Sequence, residues 1–104
     1  MIGLFRIHGD SMSPSLFAGD YVVTWRTKPG RLRAGQAVVV DHPSLGLIVK
    51  RIQTLLADGR LQLSGDNPRM STATEVIGTI HASRVLGTMM WRIPIPGGQK
   101  KYPE

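Results

Sequence analysis

The sequence has no cysteine, few acidic residues and no long apolar run. Because the 104-residue chain has no thiol, it cannot form a disulfide scaffold or a thiolate zinc site, and it cannot use a cysteine nucleophile. Its apolar stretches, such as residues 45–49, fall far short of the roughly 18 residues that cross a bilayer. No charged and apolar leader with a cleavage site opens the chain. We expect one domain without a transmembrane segment.

Acids are outnumbered by bases, with seven Asp and Glu against 13 Lys and Arg, a net charge of +6 and a pI near 10.6. This balance permits nucleic acid, an anionic membrane surface or an acidic protein as partner. The cations are scattered over residues 26–33, Lys50-Arg51 and Lys100-Lys101. Because no arginine-rich helix or stacking repeat accompanies them, the pattern favours a solvated basic surface over a specific nucleic-acid site.

Apolar periodicity predicts an all-β domain, because no segment keeps a helical period over three turns. An Asp58-Gly59 turn joins two predicted strands as a hairpin. Short helical turns are expected at residues 13–17 and 81–84. The predicted domain spans residues 1–93, and a flexible tail rich in proline and glycine follows at 94–104. The predicted strands cover residues 4–8, 21–25, 37–40, 47–55, 60–64 and 85–93.

Ser11 lies where the first predicted strand, which includes His8, gives way to a tight turn. In such a turn, successive backbone N–H groups point to one spot and form a nest that holds an oxyanion. The alternative is a plain turn in which Asp10 or Ser11 caps a short helix beginning at Pro14. The pattern differs from a Gly-x-Ser-x-Gly elbow, since position 13 is serine.

Lys50 interrupts an apolar strand, with Ile48 and Ile52 on its own face and Val49 and Arg51 on the other. Simple alternation allows each cation to reach water. If aliphatic neighbours surround the ammonium, desolvation lowers its pKa and leaves a neutral amine that serves as a general base. A serine alkoxide needs such a base, and an amine supplies it without histidine.

Four ordered segments carry a family resemblance: Gly9-Asp-Ser-Met-Ser-Pro-Ser-Leu16, Gly19-Asp-Tyr-Val-Val23, Leu47-Ile-Val-Lys-Arg51 and Gly65-Asp-Asn-Pro68. Together they resemble the Ser/Lys proteases of the signal peptidase and LexA repressor clan, over residues 7 to about 87. The resemblance implies a coiled, barrel-like β-sheet and an endopeptidase that needs neither metal nor cofactor. Its substrate would be an extended peptide or precursor protein, without specific nucleic acid.

The resemblance also assigns roles to individual residues. It implies that Ser11 is the nucleophile, Lys50 its general base, and the backbone amides of Asp10 and Ser11 the oxyanion hole. Residues expected beside the substrate side chain that precedes the scissile bond are Ile7, Met12, Leu16 and Val49, and supporting polar residues are Ser71, Asp66 and Asn67.

Finer features resemble the small maturation proteases of nickel-type superoxide dismutase, which remove an N-terminal leader. They include Asp41-His42-Pro43, where His42-Pro43 is alternatively only a turn. Two departures stand out: Gly9 replaces an oxyanion-donating serine of some signal peptidases, and residues 71–74 lack the acid that follows Gly-Asp-Asn in the family. The missing acid leaves open a catalytically decayed peptide-binding module, and a small basic nucleic-acid-binding domain is the weaker alternative.

The implied location is the bacterial cytoplasm or the periphery of a membrane. Peripheral lipid contact would use an apolar rim, whereas Met and Trp in strands are more often core residues. The candidate rim residues are Met12, Leu16, Phe17, Met89, Met90 and Trp91.

Overall fold

The structure is a computed structural model that describes residues 1–8, 12, 16–66 and 78–94. The predicted catalytic residue Ser11, with Asp10, lies outside the described residues. The supporting residues Asn67 and Ser71 also lie outside them, as does the expected tail except for Pro94. Among the described residues, no helix is long and apolar enough to cross a membrane.

Seven strands form one antiparallel sheet in the order β1-β2-β7-β3-β4-β5-β6. This confirms the all-β prediction. The strands are β1 (Ile2–Arg6), β2 (Tyr21–Trp25), β3 (Ala37–His42), β4 (Gly46–Leu55), β5 (Arg60–Ser64), β6 (Thr79–His81) and β7 (Val85–Ile93). Two 3₁₀ turns cover Pro29–Arg31 and Ala82–Arg84.

Most predicted strands are confirmed, with two differences. The first strand ends at Arg6, so the prediction of His8 as a half-exposed strand residue is wrong, and His8 is exposed beyond the strand end. Strand β6 was not predicted, because three residues are too few to show an alternation. The turn expected at residues 81–84 is present as Ala82–Arg84, where His81 Nδ1 accepts a hydrogen bond from Ser83 N.

The core consists of two apolar clusters on opposite faces of β3. Val38 and Val40 belong to one cluster, with Ile52 of β4 and residues of β5 and β6. Ala37 and Val39 belong to the other, with Val22 of β2. Because successive side chains alternate across a strand, β3 is buried on both faces, as its unbroken apolar run predicts. This central position of β3 fixes the environment of its neighbour, β4.

Candidate active site

Lys50 lies in the middle of β4, directly opposite Val38 of β3. The β3–β4 turn sets this register, since Gly46 adopts φ +75° and His42 Nδ1 accepts hydrogen bonds from Ser44 N and Leu45 N at 3.0 and 3.1 Å. His42 is buried, and its ring nitrogen satisfies the turn's backbone donors. These bonds favour the structural interpretation of His42-Pro43 as a turn.

The side chain of Lys50 is only 3% exposed, although it carries an amine. Its strand neighbours two positions away, Ile48 and Ile52, pack in the same apolar cluster as Val38. Desolvation by these surroundings lowers the pKa of Lys50 below its ordinary value of 10.5. No acidic side chain among the described residues forms an ion pair with it. The geometry thus favours the desolvated amine over the alternative in which Lys50 reaches open water.

Arg51, the next residue, has the opposite environment. Its guanidinium donates from Nε to Asp66 Oδ1 at 2.9 Å and from Nη2 to Asp66 Oδ2 at 2.6 Å. A third bond runs from Nη1 to the Gly35 carbonyl at 2.8 Å. The hydrogen bonds to Asp66 raise the pKa of Arg51. This fork joins the Lys-Arg segment to the Gly-Asp-Asn segment, so Asp66 supports the strand that carries Lys50 through its contacts with Arg51.

Residues expected beside the substrate gather in one place. Ile7, Met12 and Leu16 belong to a single buried cluster, and the half-buried Val49 packs against it. Leu16 N donates to Met12 O at 2.9 Å, which holds the two ends of this short segment together. Since Val49 and Lys50 are consecutive, the cluster adjoins the strand that bears the amine, but on the face opposite to the Lys50 side chain. Ile7, Met12 and Leu16 are almost fully buried, so they would form the floor of a pocket rather than an open wall.

Backbone hydrogen bonds join the two ends of the segment between Ile7 and Asp20. Ile7 N donates to Asp20 O at 2.7 Å, and Gly19 N donates to Ile7 O at 2.8 Å. The Asp20 carboxylate is 1% exposed and accepts from Phe17 N at 3.0 Å, with Arg92 Nε 4.0 Å away. Asp20 was not singled out from the sequence, although the acid in Gly-Asp-x-Val-Val was visible as a turn signal. Its carboxylate thereby holds Phe17 close to the start of β2.

Most of the chain matches a known family. Residues 2–90 match the family described as Peptidase S24-like. The chain belongs to the Peptidase S24-like family. This places it in the clan of LexA and the signal peptidases and supports a serine-peptidase-like function for this fold. No curated protein matches the chain in a sequence comparison.

The Peptidase S24-like region contains both Ser11 and Lys50, together with all seven strands except the last residues of β7. Among the described residues, no group of three His, Asp or Glu side chains is placed to hold a metal ion.

Proposed function

We propose that this Peptidase S24-like chain is a serine endopeptidase with a Ser11/Lys50 dyad. The observation that carries the proposal is the Lys50 amine, which is buried among aliphatic side chains and has a lowered pKa without an acidic partner among the described residues. A lowered pKa increases the fraction of the neutral amine that can act as a base, whereas an exposed lysine is almost entirely protonated at neutral pH.

The proposed reaction follows from these groups. The Ser11 hydroxyl oxygen attacks the scissile carbonyl carbon, and its proton passes to the neutral Lys50 amine. The backbone N–H groups of Asp10 and Ser11 donate to the tetrahedral oxyanion. Collapse breaks the C–N bond, and Lys50 returns the proton to the leaving amine. A water molecule, deprotonated by Lys50, then hydrolyses the acyl-enzyme and regenerates the serine.

The substrate we propose is an extended peptide segment, such as the leader of a precursor protein. Among the described residues, strand β1 is the first strand in the sheet order and pairs with β2. An exposed strand edge next to Ile7 suits a peptide that adds as a further strand and places alternate side chains in pockets. The buried floor of Ile7, Met12 and Leu16 leaves little depth, which favours a small side chain before the scissile bond. Leader removal in the manner of the nickel-type superoxide dismutase maturation proteases is the finer form of this proposal.

Two measurements test the proposal. A peptide library is incubated with the enzyme to find cleavage sites, and acylation of the enzyme by a reactive probe is followed by mass spectrometry. The wild-type chain should cleave after small side chains, and a β-lactam acylating probe should add its mass to the peptide that contains Ser11. Ser11→Ala should lose both signals and keep its circular dichroism spectrum. Ser83→Ala, which alters an exposed serine of the Ala82–Arg84 turn, is the matched control and should retain both.

A folded wild-type chain that neither cleaves nor acylates at any pH, including above the titration of Lys50, would contradict the proposal. Peptide binding retained under those conditions would instead assign the chain as a decayed binding module, the alternative raised by the missing acid in residues 71–74.

A further inference from the structure

One face of the sheet formed by β1, β2 and β7 is apolar and open to solvent. Leu4, Val23 and Trp91 are opposite one another across the three strands, and so are Arg6, Tyr21 and Ile93. Ile2 is opposite Trp25. We call the set Ile2, Leu4, Tyr21, Trp25, Trp91 and Ile93 the apolar face. Four of its members are strongly exposed, at 66% for Ile2, 60% for Leu4, 49% for Trp25 and 69% for Trp91.

This surface corrects the rim expected from the sequence. Met12 and Leu16 are each 1% exposed, so they belong to the core and do not contact lipid. Trp91 is exposed as the rim interpretation required, but its neighbours on the surface come from β1 and β2. The difference arises because sheet register, rather than sequence proximity, determines which side chains share a face.

The apolar face and Lys50 are connected by a single row of opposed residues. Lys50 is opposite Val38, Val38 is opposite Thr88, and Thr88 is opposite Trp25. Opposed residues in an antiparallel sheet project from the same face. At about 4.8 Å per strand, Trp25 is about 14 Å from Lys50 along this row. A partner covering the apolar face would therefore lie on the same side of the sheet as the Lys50 side chain, with the buried Val38 and Thr88 between them.

Cations flank the apolar face at both ends, and acids are absent from the segments that build it. Arg6 places its guanidinium 5.9 Å from the centre of the Tyr21 ring at one end. At the other end, Arg26 N donates to Met1 O, and the exposed Lys28 and Arg31 follow in the loop after β2. The sequence contains no Asp or Glu in residues 1–9, 21–40 or 76–103.

We propose that the apolar face docks on an anionic lipid bilayer. Tryptophan and tyrosine favour the membrane interface, because their rings are apolar and their edges are polar. Neighbouring Lys and Arg add attraction to anionic headgroups. A two-fold dimer through the same face would instead bring like cations together without an acid to pair them, since an isologous interface uses the same patch twice.

The two tryptophans of the chain, Trp25 and Trp91, both belong to the apolar face, so intrinsic fluorescence reports on this surface alone. The probe is vesicles of phosphatidylcholine with about a third phosphatidylglycerol, compared with vesicles of phosphatidylcholine only. With the anionic vesicles, the emission should shift to shorter wavelength and brominated lipid should quench it. Binding measured by flotation should weaken as salt is raised, because the headgroup attraction is screened.

Variants separate the apolar and basic contributions. Trp91→Ser should weaken vesicle binding by about ten-fold, whereas Leu47→Ser, which alters a 61% exposed leucine of β4 outside the face, should leave it unchanged. Arg26→Gln with Lys28→Gln should weaken binding by about 30-fold. The matched pair Arg60→Gln with Arg84→Gln removes the same charge elsewhere and should have a much smaller effect.

Lys50→Met should bind vesicles like the wild type, so this test is independent of the proposed peptidase activity. The proposal would be overturned if anionic vesicles caused no change in fluorescence, or if the two double charge variants lost vesicle binding equally. It would also be overturned if the chain formed a concentration-dependent dimer without lipid and Trp91→Ser disrupted that dimer. Binding of an apolar peptide without lipid, lost in Trp91→Ser, would also overturn it by assigning the face to the substrate.

Discussion

Lys50 and Arg51 are adjacent basic residues whose side chains lie in opposite environments. Lys50 faces an apolar cluster and its pKa is lowered by desolvation, whereas Arg51 forms a fork with Asp66 and its pKa is raised. Strand alternation alone separates the two environments. Two basic residues that are neighbours in sequence can therefore have different roles. The amine of Lys50 is suited to exchange a proton, whereas the guanidinium of Arg51 joins two segments of the chain.

The largest effect is expected from replacing Lys50. Lys50→Met should lower peptide cleavage by about 100- to 10,000-fold, because the reaction loses its general base. Folding stability should be unchanged or higher, since an apolar side chain of similar shape replaces a desolvated amine. Cleavage kinetics and urea unfolding measure the two effects. Lys28→Met, an exposed lysine, is the control for activity in solution, and cleavage retained in Lys50→Met would refute the mechanism.

Replacing the partner of Arg51 should affect stability more than chemistry. Asp66→Asn should lower the free energy of unfolding by about 1–2 kcal/mol, less than for a fully buried pair because both side chains keep some solvent contact. Asp58→Asn is the matched control: its carboxylate is 3.9 Å from Arg60 and mostly exposed, so about 0.5 kcal/mol or less is expected. If both variants lost the same free energy of unfolding, the Arg51–Asp66 fork would be no stronger than an ordinary surface ion pair.

The titration of Lys50 should appear in both activity and stability. Cleavage should rise with pH through an inflection below 10.5, as the amine loses its proton. Between the folded pKa and 10.5, the unfolded chain binds more protons at this position, so stability should increase with pH, by at most about 1.4 kcal/mol per unit. Below the folded pKa both states are protonated and this dependence disappears. The slopes of the stability curves for wild type and Lys50→Met should differ only in that window.

The sequence predicted part of this site and missed the rest for identifiable reasons. The apolar run of β3 predicted burial, because that pattern is local, whereas the alternation around Lys50 left open whether its amine is buried or reaches water. Asp66 was expected only as a supporting residue, since its fork with Arg51 depends on how β5 pairs with β4. The apolar face was missed for the same reason: it requires the order of β1, β2 and β7, which periodicity does not determine.

Thr88 offers the smallest test and the sharpest contrast with Lys50. Both flank Val38 on the same face, and among the described residues the buried Thr88 hydroxyl has no hydrogen-bond partner. Thr88→Val replaces that hydroxyl with a methyl group of similar size and should stabilise the fold by about 0.5–1 kcal/mol, while cleavage stays unchanged. Thr88→Ser keeps the hydroxyl and loses the methyl contact, so it should destabilise. If Thr88→Val instead reduced cleavage without unfolding the chain, the hydroxyl would act on the Lys50 amine, and burial alone would no longer explain its lowered pKa.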